Sequence, residues 1–298
     1  MTWCTIVNPA AGGGSCGRRA RMALADLREV GLRLEVHETE GPEHATALAR
    51  ECYARGLHHF LAVGGDGTAF EVLNGLFPRP DGDGDPLVLA TLPLGTGNSF
   101  LRDFGIDDSE SAMQALIRGT TRACDVARAE HADGTVHFIN LMSLAFSARA
   151  CALTNSKFKP LGAFGYILAV LTCIAGLEHP VIPIRLDGGR TDRRPCVLLS
   201  FSNSKYTGGT MMMAPRADPT DGEIDVIRVG QMGRLRLTAT FPEIFKGTHV
   251  DSPDVEQARA RRIDFVDPVR QDAMVDGEIM SLTLRSVEVL PGALEVVV

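Results

Sequence analysis

A chain of 298 residues is longer than one typical hydrophobic core and suits two domains. Its 45% hydrophobic and 22% charged residues are an ordinary globular composition. A formal net charge of −7 and a pI of about 5.6 exclude nucleic-acid binding by bulk charge, so an anionic ligand needs a local site.

The opening MTWCTIVNPA has no basic segment followed by an apolar one, so WCTIVN (3–8) is expected as a first strand and not as a signal peptide. Residues 18–30 place Met22, Leu24, Leu27 and Val30 near one helical face. LRLEVHE (32–38) alternates like a strand. Residues 42–56 follow as a helix, with Pro42 in the first turn and Gly56 at the C-cap. HHFLAV (58–63) is a strand ending at GGDGT, residues 72–77 close a helix, and LVLATLP (87–93) is again a strand. This rhythm predicts a parallel, doubly wound sheet that binds its ligand beyond the carboxyl ends of the strands. PRPDGDGDP (78–86) reads as a surface loop, because no calcium-loop spacing follows it.

From residue 123 the character changes. CDVARAE, VHFINLMSLAF, IPIRLD, CVLLSFSN, EIDVIRV, RIDFV, SLTLRS and LEVVV are strand-like and separated by Gly, Pro and Asp clusters. They predict an antiparallel β domain, interrupted by helical pieces near 160–177 and 233–246. The uncharged run 161–177 is shorter than the roughly 20 residues of a membrane span and is expected as a buried or partly exposed helix. Lys157 and Lys159 before it leave open a peripheral contact with anionic lipid.

Seven cysteines at 4, 16, 52, 124, 151, 173 and 196 include no C-x-x-C. They argue for reduced thiols in a cytoplasmic protein, against a disulfide frame or a zinc site. His44 and His249 lack a ligand pattern and read as packing or solvent residues. Met211 to Met213 suit a β core or a lipid-facing wall. Arg18, Arg19 and Arg21 open a helix where positive charge opposes the dipole; a solvated face and an anion contact both account for them.

Three glycine-rich loops follow strands. VNPAAGGGSCGRRAR (7–21) lacks the Lys and Ser/Thr of a Walker loop, and a plain strand–helix turn accounts for it as well as a phosphate site does. In VGGDGTAFE (63–71), Gly64, Gly65 and Gly67 free the backbone and Thr68 is placed to cap a helix. Asp66 would repel a phosphate unless Mg2+ stood between them. In LPLGTGNSF (92–100), Gly95 and Gly97 frame Thr96, and Asn98 is placed to cap the next helix. Together the loops describe one crevice. The tetrapeptide DGEI occurs at 221–224 and again at 276–279, and each copy alone reads as a β-turn.

NPxxGGG, GGDGT and PLGTGN, in this order, resemble the diacylglycerol kinase catalytic family, which includes sphingosine and ceramide kinases and soluble bacterial lipid kinases. YTGGTMMMAPRADPTDGEIDV (206–226) and DGE (276–278) resemble that family's C-terminal motifs, so the likeness covers the whole chain. The resemblance implies ATP- and Mg2+-dependent transfer of the γ-phosphoryl group to a lipid hydroxyl. It implies an α/β nucleotide domain over 1–122 plus 288–298 and a β-sandwich lipid domain over 123–287, with the last strand returning to the first domain. It implies that Asn8, Gly64, Gly65, Asp66, Gly67, Thr68, Glu71, Gly95, Thr96 and Asn98 line the nucleotide site, with a further contact at Thr39. Asp276 with Glu278 matches the catalytic acid pair, which shares one face of a strand and works with Asp66. Asp221, with the carbonyls of Asp218 and Glu223, matches a structural Mg2+ site. The expected setting is cytoplasmic with peripheral membrane association, no nucleic-acid partner, and an exposed β edge that offers a route to a homodimer.

Two positions depart from the family pattern. Ser99 stands where an Asp usually follows the Asn of PLGTGN, and Phe70 where an Asn usually follows GGDGT. They leave open a non-catalytic lipid- or nucleotide-binding regulator. GGDGT also occurs in NAD kinases and phosphofructokinases, which leaves open a NAD-kinase-like enzyme with a soluble substrate.

Overall fold

Apolar runs too short for helices become strands wherever a helix can cover them. The computed structural model describes residues 1–79, 84–95, 97–154, 157 and 162–298, the side chains of 162–167 excepted. In the first half β1 (Thr2–Val7), β2 (Arg33–Glu38), β3 (His59–Gly64) and β4 (Val88–Pro93) pair in parallel in the order β2-β1-β3-β4. The helices between and after them are α1 (Cys16–Glu29), α2 (His44–Ala54), α3 (Asp66–Leu76) and α4 (Ser109–Arg118). α1 packs beside α4 and α2 beside α3, closing a core around Ile6, Leu27, Phe60, Leu61, Leu73 and Leu92. The α1 face is rotated from its expected position. Ala20, Ala23, Leu24 and Leu27 are buried, while Met22 and Val30 are 67% and 55% exposed. Small alanines let the helix lie close to the sheet, and the larger Met22 turns to solvent.

The second half is antiparallel. Its strands are β5 (Thr121–His131), β6 (Gly134–Phe138), β7 (Leu141–Ala145), β8 (Ile184–Leu186), β9 (Thr191–Asp192), β10 (Leu198–Ser202), β13 (Ile224–Val229), β14 (Val255–Ala260), β15 (Arg262–Phe265), β16 (Arg270–Val275) and β17 (Glu278–Val297). The order β14-β13-β10-β7-β16-β17 forms one layer, and β5, β6, β15, β8 and β9 extend the other from β17. Between the layers lie Phe138, Leu199, Phe201, Ile263, Leu284 and Val287. The hairpin β11 (Tyr206–Thr207) and β12 (Met211–Met212) stands apart. The helices α5 (Phe146–Leu153), α6 (Gly162–Ala175) and α7 (Arg234–Thr240) cover a further cluster that includes Val170, Ile174, Met213 and Leu237. Among the described residues no helix is long and apolar enough to cross a membrane.

One strand joins the halves. SLTLRS and LEVVV are expected as separate strands, yet β17 runs through both for 20 residues. Pro291 and Gly292 mark a register shift along its pairing with β5, not a break. Buried Asp125 holds that shift, its Oδ1 accepting the Gly292 N–H at 2.7 Å and its Oδ2 the Gly222 N–H at 2.6 Å. Beyond it, Glu295 and Val296 pair in parallel with Val88 and Leu89 of β4.

Candidate active site

Each glycine loop leaves the carboxyl end of a parallel strand. After β1, the Asn8 N–H donates to Val63 O at 2.9 Å and its Nδ2 reaches Thr68 Oγ1 at 3.3 Å. Thr68 is thus tied to the first loop and does not cap α3, whose N-cap is Gly65. After β4, the N–H groups of Leu94 and Gly95 both donate to Gly64 O at 2.8 Å. That crossing needs a glycine: a Cβ on Gly95 would stand 2.4 Å from Gly65 Cα. Asn98 adopts a left-handed φ of 44° and turns its Nδ2 back to Gly95 O at 3.0 Å. The short 3-10 helix that follows, Phe100–Phe104, has Ser99 as its N-cap and no side-chain cap, so Asn98 does not act as expected.

Asp66 opens α3, and both its carboxylate oxygens lie 2.9 Å from the Ser99 N–H. Burial raises its pKa, against the Ser99 bonds that hold it down. From the second domain comes Asp276, between β16 and β17 at a left-handed φ of 47°. Its Oδ2 accepts the Ile139 N–H at 3.0 Å, and its Oδ1 the N–H groups of Asn140 and Leu141 at 3.0 and 2.9 Å. These bonds explain why the run VHFINLMSLAF, expected as one strand, divides into β6 and β7. The carboxylate captures the amides that a continuous ladder would use. Burial pushes Asp276 up to about 7 against its three amide donors, and the nearby charge of Asp66 adds to the rise. Glu278 leans across the domain junction: a Cβ on Gly67 would meet its Oε1 at 2.8 Å.

Asn8, Gly65, Asp66, Gly67, Thr68, Glu71 and Gly95 thus line one wall of a cleft of about 730 Å³. Asn140, Asp276 and Glu278 line it from the second domain. Gly64 and Asn98 border a small cavity next to it, which shares Gly65 and Asp66 with the cleft. Thr39 stands half-buried at the end of β2 and is not among the lining residues; its N–H donates to Val7 O at 2.8 Å. Thr96 lies outside the described residues, as do Lys159 and residues 80–83 of the acidic loop. Glu71 also serves the fold, its Oε2 accepting the Ala45 N–H at the start of α2 at 3.1 Å.

Asp218, Asp221 and Glu223 form a separate loop away from the lining of the cleft. Asp218 Oδ1 takes the N–H and the hydroxyl of Thr220, and its carbonyl accepts the Asp221 N–H at 3.3 Å. Arg259 stands over the loop, 3.4 Å from Asp221 Oδ2, 3.6 Å from Glu223 Oε2 and 3.5 Å from Asp225 Oδ2. These carboxylates face the Arg259 guanidinium.

The roles of four residues escape sequence reasoning. Ser99, the departure from the family's Asp, gives its N–H to Asp66 while its hydroxyl accepts the Gly209 N–H at 2.8 Å, so it joins the site loop to the β11–β12 hairpin. Phe70 is buried in the sandwich core, not turned to the ligand. Asp103 and Lys205 pair across the junction at 3.5 Å, and burial raises Asp103 to about 6. For Phe70 the signal was its apolar character on an otherwise ligand-facing turn. For Asp103 and Lys205 no local pattern exists.

Comparison with known proteins agrees with this architecture. Residues 2–129 match the diacylglycerol kinase catalytic domain, and residues 140–298 match the YegS C-terminal NAD kinase beta sandwich-like domain. A diacylglycerol kinase of Mycobacterium tuberculosis is 28% identical over 295 residues, 98% of this chain and 93% of its own. One of Bacillus subtilis is 27% identical over 92% of this chain and 88% of its own. The crystal structure of a Bacillus anthracis protein assigned as a diacylglycerol kinase superposes with a TM-score of 0.79, at 26% identity over 99% of this chain and 94% of that one. The chain therefore belongs to the diacylglycerol kinase family of lipid kinases.

Proposed function

We propose that the enzyme transfers the γ-phosphoryl group of ATP to a hydroxyl of a membrane lipid, with Mg2+ as the metal. The observation that carries this reading is the convergence of Asp66 and Asp276, from two domains, on one glycine-lined cleft. The residues present fit a nucleotide: Gly12, Gly65, Gly67, Gly95 and Gly97 line the cleft, so main chain and not bulky side chains forms that wall. Asp66 and Glu278 supply the hard oxygens that Mg2+ takes, and the ion when bound neutralises phosphate charge. Asp276 is the group that orients the acceptor hydroxyl and receives its proton. Its three amide bonds fix the carboxylate in direction, and its raised pKa suits a base that works near neutrality. In this reading Asp221, with the carbonyls of Asp218 and Glu223, is a second, structural Mg2+ site beside the Arg259 guanidinium.

An apolar acceptor is supported by a second cavity that shares Ser147 and Met213 with the cleft. This cavity of about 70 Å³ is lined by Phe146, Val197, Met232, Leu237 and Ile244, an apolar wall for part of an acyl or isoprenoid chain. A membrane surface is supported by Leu235, 90% exposed between Arg234 and Arg236, and by Phe245, 47% exposed at the cleft. The test is transfer of label from γ-labelled ATP into a total lipid extract, with NAD offered in parallel. Labelled lipid is the expected product. Labelled NADP with no labelled lipid would replace this reading with a soluble-substrate kinase.

A further inference from the structure

Three residues outside the cleft meet on one face of the parallel sheet. Pairing of β1 with β2 sets Cys4 beside Glu35, and alternation along β2 turns Glu35 and His37 to that same face. α2 covers the face and lays Cys52 on it. The sulfurs of Cys4 and Cys52 and a ring nitrogen of His37 all lie within 4.8 Å of one another. Both thiols are buried, and the His37 side chain is 25% exposed, which gives a route in from solvent.

The spacing is that of ligands on one ion. His37 Nε2 stands 3.6 Å from Cys52 Sγ and 3.0 Å from Glu35 Oε1. A tetrahedral zinc, with Zn–S about 2.3 Å and Zn–N about 2.0–2.1 Å, has an S···N edge of about 3.6 Å. We propose that Cys4, His37 and Cys52 hold a zinc ion, with Glu35 outside the ligand set and beside the His37 ring. Binding releases both thiol protons to solvent. Two thiolates then balance Zn2+, while Arg55 grips Glu35 at 2.7 and 3.0 Å and holds that carboxylate beside the His37 ring. Thiolate ligands select against Mg2+, so the site is independent of the nucleotide's metal. Linear spacing hides the set, because its members come from β1, β2 and α2.

Cobalt is the probe. The full-length protein, freed of metal by chelator and then held in excess Mg2+, is titrated with Co2+. The expected result is one equivalent bound, with a thiolate-to-cobalt charge-transfer band in the near ultraviolet and tetrahedral bands in the visible, all bleached by Zn2+. Cys4→Ser and Cys52→Ser lose the band while Cys16→Ser keeps it. The partly exposed His37→Asn, which leaves both thiols in place, weakens zinc binding on the order of tenfold or more. Folded wild-type protein without the band would overturn the site, as would a band that survives both cluster cysteine substitutions, or a His37→Asn variant with unchanged zinc affinity.

Discussion

For Asp276 to receive a proton from an acceptor hydroxyl it must first have lost its own. Its pKa, raised from 3.8 to about 7 chiefly by burial, therefore sets a pH requirement. Catalytic efficiency should climb as pH rises toward about 7 and level off above it, read as kcat/KM against pH; a flat profile through that range would remove Asp276 from the proton transfer. The effect on stability has the opposite sign. The folded chain binds this proton more tightly than the unfolded one, so the contribution is complete below about 4 and is lost as pH rises through about 7. Asp103, raised to about 6, acts in the same direction. The urea midpoint should thus fall between pH about 5 and about 8, and less steeply in an Asp103→Asn variant. A tight contact belongs to the same scale. Gly95→Ala would put a methyl 2.4 Å from Gly65 Cα, costing about 1–3 kcal/mol of stability and weakening nucleotide binding, measured by denaturation and by ATP titration.

At the scale of elements, two devices hold the domains together. Phe70 leaves α3 and enters the sandwich core, while the next turn of α3 is clasped by Asn74, whose Oδ1 accepts the His137 N–H and whose Nδ2 donates to the His137 carbonyl, both at 2.9 Å. Phe70→Ala should cost about 3–5 kcal/mol, with the loss shared by both domains in one transition; two separate transitions in calorimetry would show that they are not coupled there. Arg259 gathers Asp221, Glu223 and Asp225. Because Asp225 is buried, Arg259→Ala should destabilise the chain by roughly 1–2 kcal/mol, a loss that added Mg2+ restores only if the loop can become a metal site. The elements themselves were largely legible. Period-two alternation in LRLEVHE and the apolar runs before each glycine loop gave the parallel strands, because burial by flanking helices leaves that imprint. What stayed hidden depended on partners remote in sequence. The Asp276 carboxylate divides VHFINLMSLAF, Asp125 carries β17 past Pro291 and Gly292, and the α1 face follows the small alanines that approach the sheet. The site was legible as three loops and two acids. The bonds of Ser99 were not, since a serine in place of an acid says nothing about the hairpin it will reach.

At the scale of the whole molecule, β17 crosses from the sandwich to the parallel sheet, so the two walls of the cleft share a backbone. Leu235, exposed between two arginines, precedes Leu237, which lines the apolar cavity that shares Ser147 and Met213 with that cleft; in the proposed function this surface meets lipid. Leu235→Glu should lower sedimentation with anionic vesicles and slow phosphorylation of bilayer lipid, while activity on a detergent-dispersed lipid stays near the wild-type rate; equal losses in both assays would argue against a membrane contact there. The central claim is that one aspartate at the meeting of two domains accepts the proton of a lipid alcohol as phosphate arrives. It is tested most directly by comparing wild type and Asp276→Asn for label transfer from γ-labelled ATP into lipid, with ATP affinity and far-ultraviolet circular dichroism measured on the same samples. The account predicts a folded variant that binds ATP within about threefold of wild type and transfers phosphate at least about a hundredfold more slowly. A folded Asp276→Asn protein that phosphorylates lipid at close to the wild-type rate would contradict it.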